Sequence, residues 1–208
     1  MEVANKRMIV GIDESNFSPS IAGDIVVCAL VALEKVEGIK DSKTLSRKRR
    51  FELFEKLSET SVYTIALASP RTISLVNVYR GRNIAIETVL RELVILLKDV
   101  GFSLPDEVII DGVWSEKNLN YFQDVSGLTV KGLARGDSTV YECSAASIIA
   151  KCYADILFTG YEKLLDCRLD CGNLSEAHIK QLREKGPTVA HRTGVYGKEW
   201  WNTILKGG

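Results

Sequence analysis

The order of the apolar, β-branched runs is the feature that most constrains the fold of this chain. Runs typical of strands come at 7–13, 24–33, 61–68, 107–111 and 127–132. Helical patterns with suitable start and stop residues occupy 46–59, 83–99, 139–166 and 175–185. Three strands first, followed by alternating helices and strands, predict an α/β domain with a mixed sheet. A single loop separates the first two runs, which predicts that they pair as a hairpin.

Length and charge limit the class of protein. The 208 residues suit a single domain, 1–208, in which roughly 165–208 forms a C-terminal helical extension. Lys+Arg and Asp+Glu both number 27, so no global positive field indicates nucleic acid, although a local basic face remains compatible with it. No apolar run approaches the roughly 20 residues of a membrane span. The five scattered cysteines favour reduced thiols, and we expect a cytoplasmic monomer with no membrane partner.

Acidic residues stand where the predicted strands end. Asp13 and Glu14 follow the apolar stretch MIVGI, and Asp111 closes the strand in EVIIDGVW. Functional groups of α/β sheets gather at the carboxyl ends of strands, because the loops there open a crevice. Asp155 lies in SAASIIAKCYADILF, which is apolar nearly all round and predicts a buried helix. An acid on a buried helix normally needs a partner.

Each of these acids has an ordinary structural explanation when it is taken alone. Asp111 before a glycine is most often part of a turn, and Asp155 could pair with Lys151 on the same helix face. Asp13 and Glu14 could form a cap, or they could lie at a strand end that faces solvent. Taken together, and without a Cys/His ligand set, the acids suit hard cations such as Mg²⁺ or Mn²⁺ rather than zinc. Two such ions about 4 Å apart would stabilise the attacking and leaving oxygens of phosphodiester hydrolysis.

At these residues the sequence resembles the type 2 ribonuclease H (ribonuclease HII) family. The resembling blocks appear in family order from about residue 8 to about residue 192: GIDES, GIKDSKTLSRKRRFELFEKL, VIIDG, GDSTVYECSAASIIAKCYAD and KGPTVAHR. The resemblance implies a ribonuclease H-like mixed five-stranded sheet flanked by helices. It also implies metal-dependent cleavage of the RNA strand of RNA–DNA hybrids, with the metal-ligand and catalytic roles on Asp13, Glu14, Asp111 and Asp155.

Two parts of the sequence depart from the family pattern for recognising a ribonucleotide. The family has a Gly-Arg/Lys-Gly triplet after the first acids, whose backbone reads the ribose 2′-hydroxyl; here Asn16-Phe17-Ser18 stand in its place. The family's tyrosine before the last helix is matched here by Asn173. Because glycine permits positive φ and close approach of backbone to ligand, we expect this loop to read the hydroxyl poorly. Phe17 could instead stack on a base or belong to a hydrophobic patch.

Other basic and aromatic residues have candidate roles. Lys43, in the DSK segment, is a candidate for contacting backbone phosphate, and so is the run RKRR at 47–50, for which a solvated helix face is an equal alternative. Trp200 and Trp201 are expected to cover the core. The leading hypothesis is thus an endoribonuclease with altered junction recognition. The alternatives are a nuclease for another structured nucleic acid and a non-catalytic hybrid-binding protein on the same fold.

Overall fold

A mixed five-stranded sheet forms the centre of the fold. The computed structural model describes residues 7–39 and 42–206. The strands are β1 (Ile9–Ser15), β2 (Ile25–Ala32), β3 (Ser61–Ala68), β4 (Glu107–Asp111) and β5 (Val130–Leu133). They follow the spatial order β3-β2-β1-β4-β5, and β4 runs parallel to both β1 and β5. The five predicted strands are confirmed to within a few residues, because their β-branched runs mark strands locally.

Eight α-helices occur within the described residues. They are α1 (Arg47–Thr60), α2 (Pro70–Val76), α3 (Val78–Asp99), α4 (Glu116–Ser126), α5 (Gly136–Thr139), α6 (Tyr141–Leu165), α7 (Glu176–Lys185) and α8 (Lys198–Lys206). Short 3₁₀ turns occupy Ser42–Thr44 and Asp170–Gly172. The sequence patterns predicted α1, α6 and α7 closely and began α3 five residues late. They missed α2 and α4, although Ser69 and Ser115 cap these helices through their side chains.

The chain divides into two compact units. The expectation of one domain over 1–208 stays a prediction. The first unit contains Met1–Glu14, Val27–Ala66 and Ile86–Cys152, and the second contains Ser15–Val26, Leu67–Ala85 and Tyr153–Gly208.

In the first unit, β1 packs directly against the beginning of α6. A Cβ atom built on Gly11 would lie 2.1 Å from the carbonyl carbon of Glu142 and 2.2 Å from the nitrogen of Cys143. Only a residue without a side chain permits this contact between two backbones. Val10 and Ile12, on either side of Gly11, are fully buried. The close approach therefore fixes β1 two residues before the acid at position 13.

The second unit has its own apolar core, to which the C-terminal residues contribute. The buried members of this cluster are Ile21, Ala22, Phe158, Leu169, Leu182, Ala190 and Trp201. Trp201, on α8, is 6% exposed, and Trp200 packs against the cluster from its edge. The expectation that the two tryptophans cover the core is confirmed. Within residues 7–39 and 42–206, none of the helices has the length and apolar character needed to cross a membrane.

Candidate active site

Three aspartates of the first unit meet where neighbouring strands end. Asp13 lies on β1, Asp111 is the last residue of β4, and Asp137 follows β5 at the start of α5. One carboxylate oxygen from each lies within 4.8 Å of the others. Because β1, β4 and β5 are adjacent and β4 is parallel to both neighbours, their carboxyl ends lie at one edge of the sheet. The sequence predicted this convergence for Asp13 and Asp111.

Asp137 is the member of this cluster that the sequence analysis missed. Its backbone N–H donates a hydrogen bond of 3.2 Å to Oδ1 of Asp111. Gly136 permits this contact, because a Cβ atom there would lie 3.3 Å from the same oxygen. Asp137 is buried, with 5% of its surface exposed. The criterion that identified Asp111 gives little signal here, because Asp137 stands four residues after β5, a short strand in which Val130 alone is buried.

Burial and neighbouring negative charges disfavour the ionised form of Asp13. Its pKa is raised well above the usual range of a carboxyl group, first by burial and then by the negative charges of Glu14 and Asp111. A hydrogen bond from the Ser147 hydroxyl and one of 2.8 Å from the N–H of Glu14 act in the opposite direction. Three clustered carboxyl groups of this kind are stabilised in their ionised form by a cation. The observed set therefore fits a divalent metal ion.

The cysteines near this cluster do not offer thiolate ligands. Burial, together with the charge of Asp13, raises the pKa of the Cys28 and Cys143 thiols. The Cys143 thiol donates instead to the carbonyl oxygen of Ile109, at 3.3 Å. Protonated thiols are poor ligands, whereas carboxylate oxygens are preferred by Mg²⁺ and Mn²⁺. The donor set is thus that of a hard cation.

The other two predicted metal ligands have different positions. Glu14 is half-buried on β1, next to Asp13. Asp155 is buried on α6, within the second unit, and its carbonyl oxygen accepts a hydrogen bond of 2.8 Å from the Thr159 hydroxyl. Metal-ligand roles for Glu14 and Asp155 stay predictions.

The predicted phosphate contact at Lys43 belongs to a well-anchored turn. Lys43 lies on the 3₁₀ turn Ser42–Thr44, but its side chain lies outside the part of the chain that the structure describes. The buried Ser42 hydroxyl is 2.8 Å from the Ser147 hydroxyl, which also hydrogen-bonds to Asp13. Arg50, from the basic run, donates to the carbonyl oxygen of Leu45 at 2.8 Å and so braces the same turn.

The loop between β1 and β2 (residues 16–24, the β1–β2 loop) begins with a residue in the left-handed conformation. Asn16 has φ of 62°, the left-handed conformation that the missing glycine was expected to supply. Asparagine is among the few other residues that adopt this conformation readily. Its side-chain amide donates to the carbonyl oxygens of Ala22, at 3.0 Å, and Asp24, at 2.8 Å. The left-handed conformation is therefore retained at Asn16, the first position of the substituted triplet.

Phe17 makes contacts within the second unit. Its ring meets that of Tyr79 edge-to-face with centroids 5.4 Å apart, and the guanidinium of Arg82 lies 4.2 Å from its centroid. Such cation–π and edge-to-face contacts hold an aromatic ring in place. Ser18, by contrast, is exposed. From the sequence, Phe17 could either stack on a base or belong to a hydrophobic patch, and these contacts with Tyr79 and Arg82 favour the second.

Asn173 directly follows a residue that packs on the β1–β2 loop. The N–H of Ile21 donates to the carbonyl oxygen of Gly172 at 3.0 Å, and a Cβ on Gly172 would lie 1.9 Å from Oγ of Ser20. Asn173 itself is exposed, and its carbonyl oxygen lies 2.8 Å from Nδ1 of His178. The two segments that depart from the family pattern therefore lie side by side.

Comparisons with known proteins agree with this arrangement. The ribonuclease HII family model matches residues 10–203. Ribonuclease HII of Clostridium botulinum (strain ATCC 19397 / Type A) is 34% identical over 198 residues, which are 90% of this chain and 67% of that protein.

Solved structures show the same fold. The ribonuclease HII in the complex with PCNA from Archaeoglobus fulgidus has a TM-score of 0.74 at 22% identity, covering 92% of this chain and 96% of that one. Bst-RNase HIII in complex with Mn²⁺ has a TM-score of 0.77 at 18% identity, covering 97% of this chain and 71% of that one. The family match spans nearly the whole chain, including all three clustered aspartates. The chain therefore belongs to the ribonuclease HII family, whose members are hydrolases of the endoribonuclease class.

Proposed function

We propose that this protein cleaves the RNA strand of RNA–DNA hybrids by two-metal-ion phosphodiester hydrolysis, with Mg²⁺ or Mn²⁺ held by its clustered carboxylates. The observation that carries the proposal is the set formed by Asp13, Asp111 and Asp137, whose oxygens lie within 4.8 Å of one another. The family match supports it, and so does the raised pKa of the Cys28 and Cys143 thiols, which disfavours thiolate ligands.

Each residue has a role that follows from its position. Asp13 and Asp111 provide carboxylate oxygens from two adjacent strands, and Glu14 adds another from β1. Ser147 hydrogen-bonds to Asp13 and thereby orients that carboxylate. When bound, the divalent ions supply an activated water and neutralise charge on the departing 3′-oxygen. No side chain has to attack the phosphorus, so the protein's contribution is to position charge and substrate.

The identity of the fourth carboxylate is a choice between two residues. We favour Asp137, because its oxygen belongs to the cluster, whereas Asp155 was assigned from the family resemblance. Titration of Mn²⁺ into the protein by calorimetry distinguishes them. We expect Asp137→Asn to lower Mn²⁺ affinity and cleavage at least tenfold, and Asp155→Asn to lower them much less. Asp124→Asn, an exposed acid on α4, is the control for loss of a negative charge. The reverse ranking of the two variants would reassign the ligand to Asp155.

The substrate preference is the finer part of the proposal. The Phe17 ring occupies a loop position that is basic in the family, and Asn173 lacks the aromatic ring that the family has there. Phosphate contacts supply most of the affinity for a long hybrid, so a continuous hybrid should still be bound. We therefore expect good cleavage of continuous hybrid and weak cleavage at a single ribonucleotide embedded in DNA.

An activity panel with Mg²⁺ or Mn²⁺ tests this preference. The substrates are a continuous RNA–DNA hybrid, a duplex with one ribonucleotide, double-stranded RNA and all-DNA duplex. A triple variant with glycine at Asn16 and Ser18 and arginine at Phe17 should shift cleavage toward the single ribonucleotide. Efficient cleavage of that substrate by the unaltered protein would contradict the altered-recognition proposal. Preferred cleavage of double-stranded RNA would favour a different structured nucleic acid, and binding without cleavage would favour a non-catalytic protein.

The setting of the protein is also a proposal. All five cysteines are free, which suits a reducing compartment, and we propose the cytoplasm. We propose a monomer, which light scattering coupled to size exclusion tests directly.

A further inference from the structure

A surface cleft of about 360 Å³ in the second unit has no part in the proposed cleavage reaction. It is lined by Pro187, Thr193, Lys198, Trp201 and Asn202. The last three stand at positions i, i+3 and i+4 of α8, so they share one face of that helix. The other two belong to the segment that precedes α8. The volume lies within the range of about 300–1,000 Å³ that is typical of small-molecule sites.

Trp201 is the one buried residue among the described residues that line the cleft, with 6% of its surface exposed. Its indole Nε1 is buried and has no hydrogen-bond acceptor within residues 7–39 and 42–206. A buried N–H donor without an acceptor is unfavourable, so each one in a native structure calls for an explanation. The ring is held by edge-to-face contacts with His191, at 6.1 Å between centroids, and with Trp200, at 5.1 Å. The cleft therefore contains a positioned donor that lacks an acceptor.

The charge of the cleft is positive. Lys198 is the first residue of α8, where the helix dipole adds partial positive charge, and its side chain forms no ion pair or hydrogen bond with the described part of the chain. The hydroxyl of Thr193 and the amide of Asn202 can donate as well. No Asp or Glu is among the described lining residues, and Glu199, one position further along α8, lies outside them. Apolar walls with a cation and several donors suit an anionic ligand that has an apolar body.

We propose that this cleft is a binding site for small carboxylates that carry a compact apolar group, such as an aromatic ring. The carboxylate accepts hydrogen bonds from Nζ of Lys198 and Nε1 of Trp201, while the apolar group packs against Pro187 and the indole ring. A carboxylate matches both donors, because its two oxygens can accept from a cation and from a neutral N–H at once. Inorganic phosphate offers no apolar group to pack there, and an amine would meet Lys198 with like charge. The site is independent of the proposed cleavage function.

An NMR titration of the unaltered protein with benzoate tests the proposal. The chain has three tryptophans, and the indole N–H of Trp114 is an internal control, because it already donates to the carbonyl oxygen of Asp111 at 2.8 Å. We expect benzoate to shift the Trp201 indole signal saturably, with Kd of about 1 mM or below, and to leave the Trp114 signal in place. Benzylamine, which has the same ring and the opposite charge, should leave both in place. No saturable shift of the Trp201 signal by benzoate up to about 10 mM, or an equal shift with benzylamine, would overturn the proposal.

Three variants of α8 test the roles of the two donors, with the chemical shifts of benzoate as the measurement. Lys198→Gln removes the cation of the cleft, whereas the control Lys206→Gln removes one from the last turn of the same helix, outside the lining. We expect Lys198→Gln to weaken benzoate binding at least about fivefold and Lys206→Gln to change it less than about twofold. Trp201→Phe, which keeps an aromatic ring without the N–H, should also weaken binding at least about fivefold. Equal effects of the two lysine variants, or an unchanged affinity of Trp201→Phe, would overturn the assignment of these donors.

Discussion

A buried pair of histidines makes the stability of the second unit depend on pH. The Nε2 atoms of His178 and His191 are 3.0 Å apart. Nδ1 of His178 faces the carbonyl oxygen of Asn173 at 2.8 Å and must carry a hydrogen, whereas Nδ1 of His191 accepts from the N–H of Thr188 at 2.9 Å. The hydrogen between the rings therefore belongs to His191, and both rings are neutral. A further proton would place two N–H groups against each other or against Thr188.

The size of the effect follows from the pKa of His191. Burial, followed by the neighbouring His178, lowers this pKa from 6.5 to about 4. The unfolded chain therefore binds more protons between these values, so stability rises with pH across the window. The stabilisation is fully present above about pH 6.5 and is lost progressively toward pH 4. At about 1.4 kcal/mol per pKa unit, the full loss is about 3 kcal/mol, of which about 2 kcal/mol is lost by pH 5.

Urea unfolding of the unaltered protein and of His191→Gln, followed by tryptophan fluorescence at pH 7 and pH 5, measures this loss. Trp201 is a suitable reporter because its ring centroid lies 6.1 Å from that of His191. His178, the only other histidine of the sequence, is retained in the variant, so the comparison isolates the change at position 191. We expect the unaltered protein to lose about 2 kcal/mol more than the variant between the two pH values. Equal losses, within about 0.5 kcal/mol, would refute the neutral-pair argument, because carboxyl groups titrate in both proteins.

Three further predictions concern residues of the first unit. Gly11→Ala should lower the free energy of unfolding in urea by at least about 2 kcal/mol, because the added Cβ would clash with the α6 backbone. The control Gly160→Ala, whose Cβ would have no atom within 4 Å, should raise it by up to about 1 kcal/mol. A smaller loss for Gly11→Ala would refute the close packing of β1 on α6. Asp111→Asn should abolish metal-dependent cleavage while leaving the metal-free protein as stable or slightly more so, and retained cleavage would contradict its role. Ser147→Ala should lower the free energy of unfolding by about 1 kcal/mol and weaken Mn²⁺ binding in calorimetry, because Asp13 loses a hydrogen-bond donor. An unchanged Mn²⁺ affinity would show that Ser147 does not contribute to the metal site.

The sequence alone determined the features that depend on local pattern. The five strands follow from runs of β-branched residues, whose preference for extended backbone acts within a few residues. The positions of Asp13 and Asp111 also follow from local pattern. Each acid comes at the end of an apolar run, and this position along its strand does not depend on how the strand packs. Helices α2 and α4 were missed because short polar segments carry little apolar periodicity, even when their N-caps are standard.

Only the tertiary structure decided which distant groups meet. Asp137 joins the cluster because β5 lies beside β4, a pairing that no local pattern encodes. Asn16 adopts positive φ because partners elsewhere in the fold hold it: its side chain donates to the carbonyl oxygen of Ala22, and its own carbonyl oxygen accepts from Arg192. Arg192 lies more than 160 residues from the carbonyl groups that it binds. Its sequence context gives no sign of this role, because hydrogen bonds between remote segments depend on how the whole chain brings donors and acceptors together.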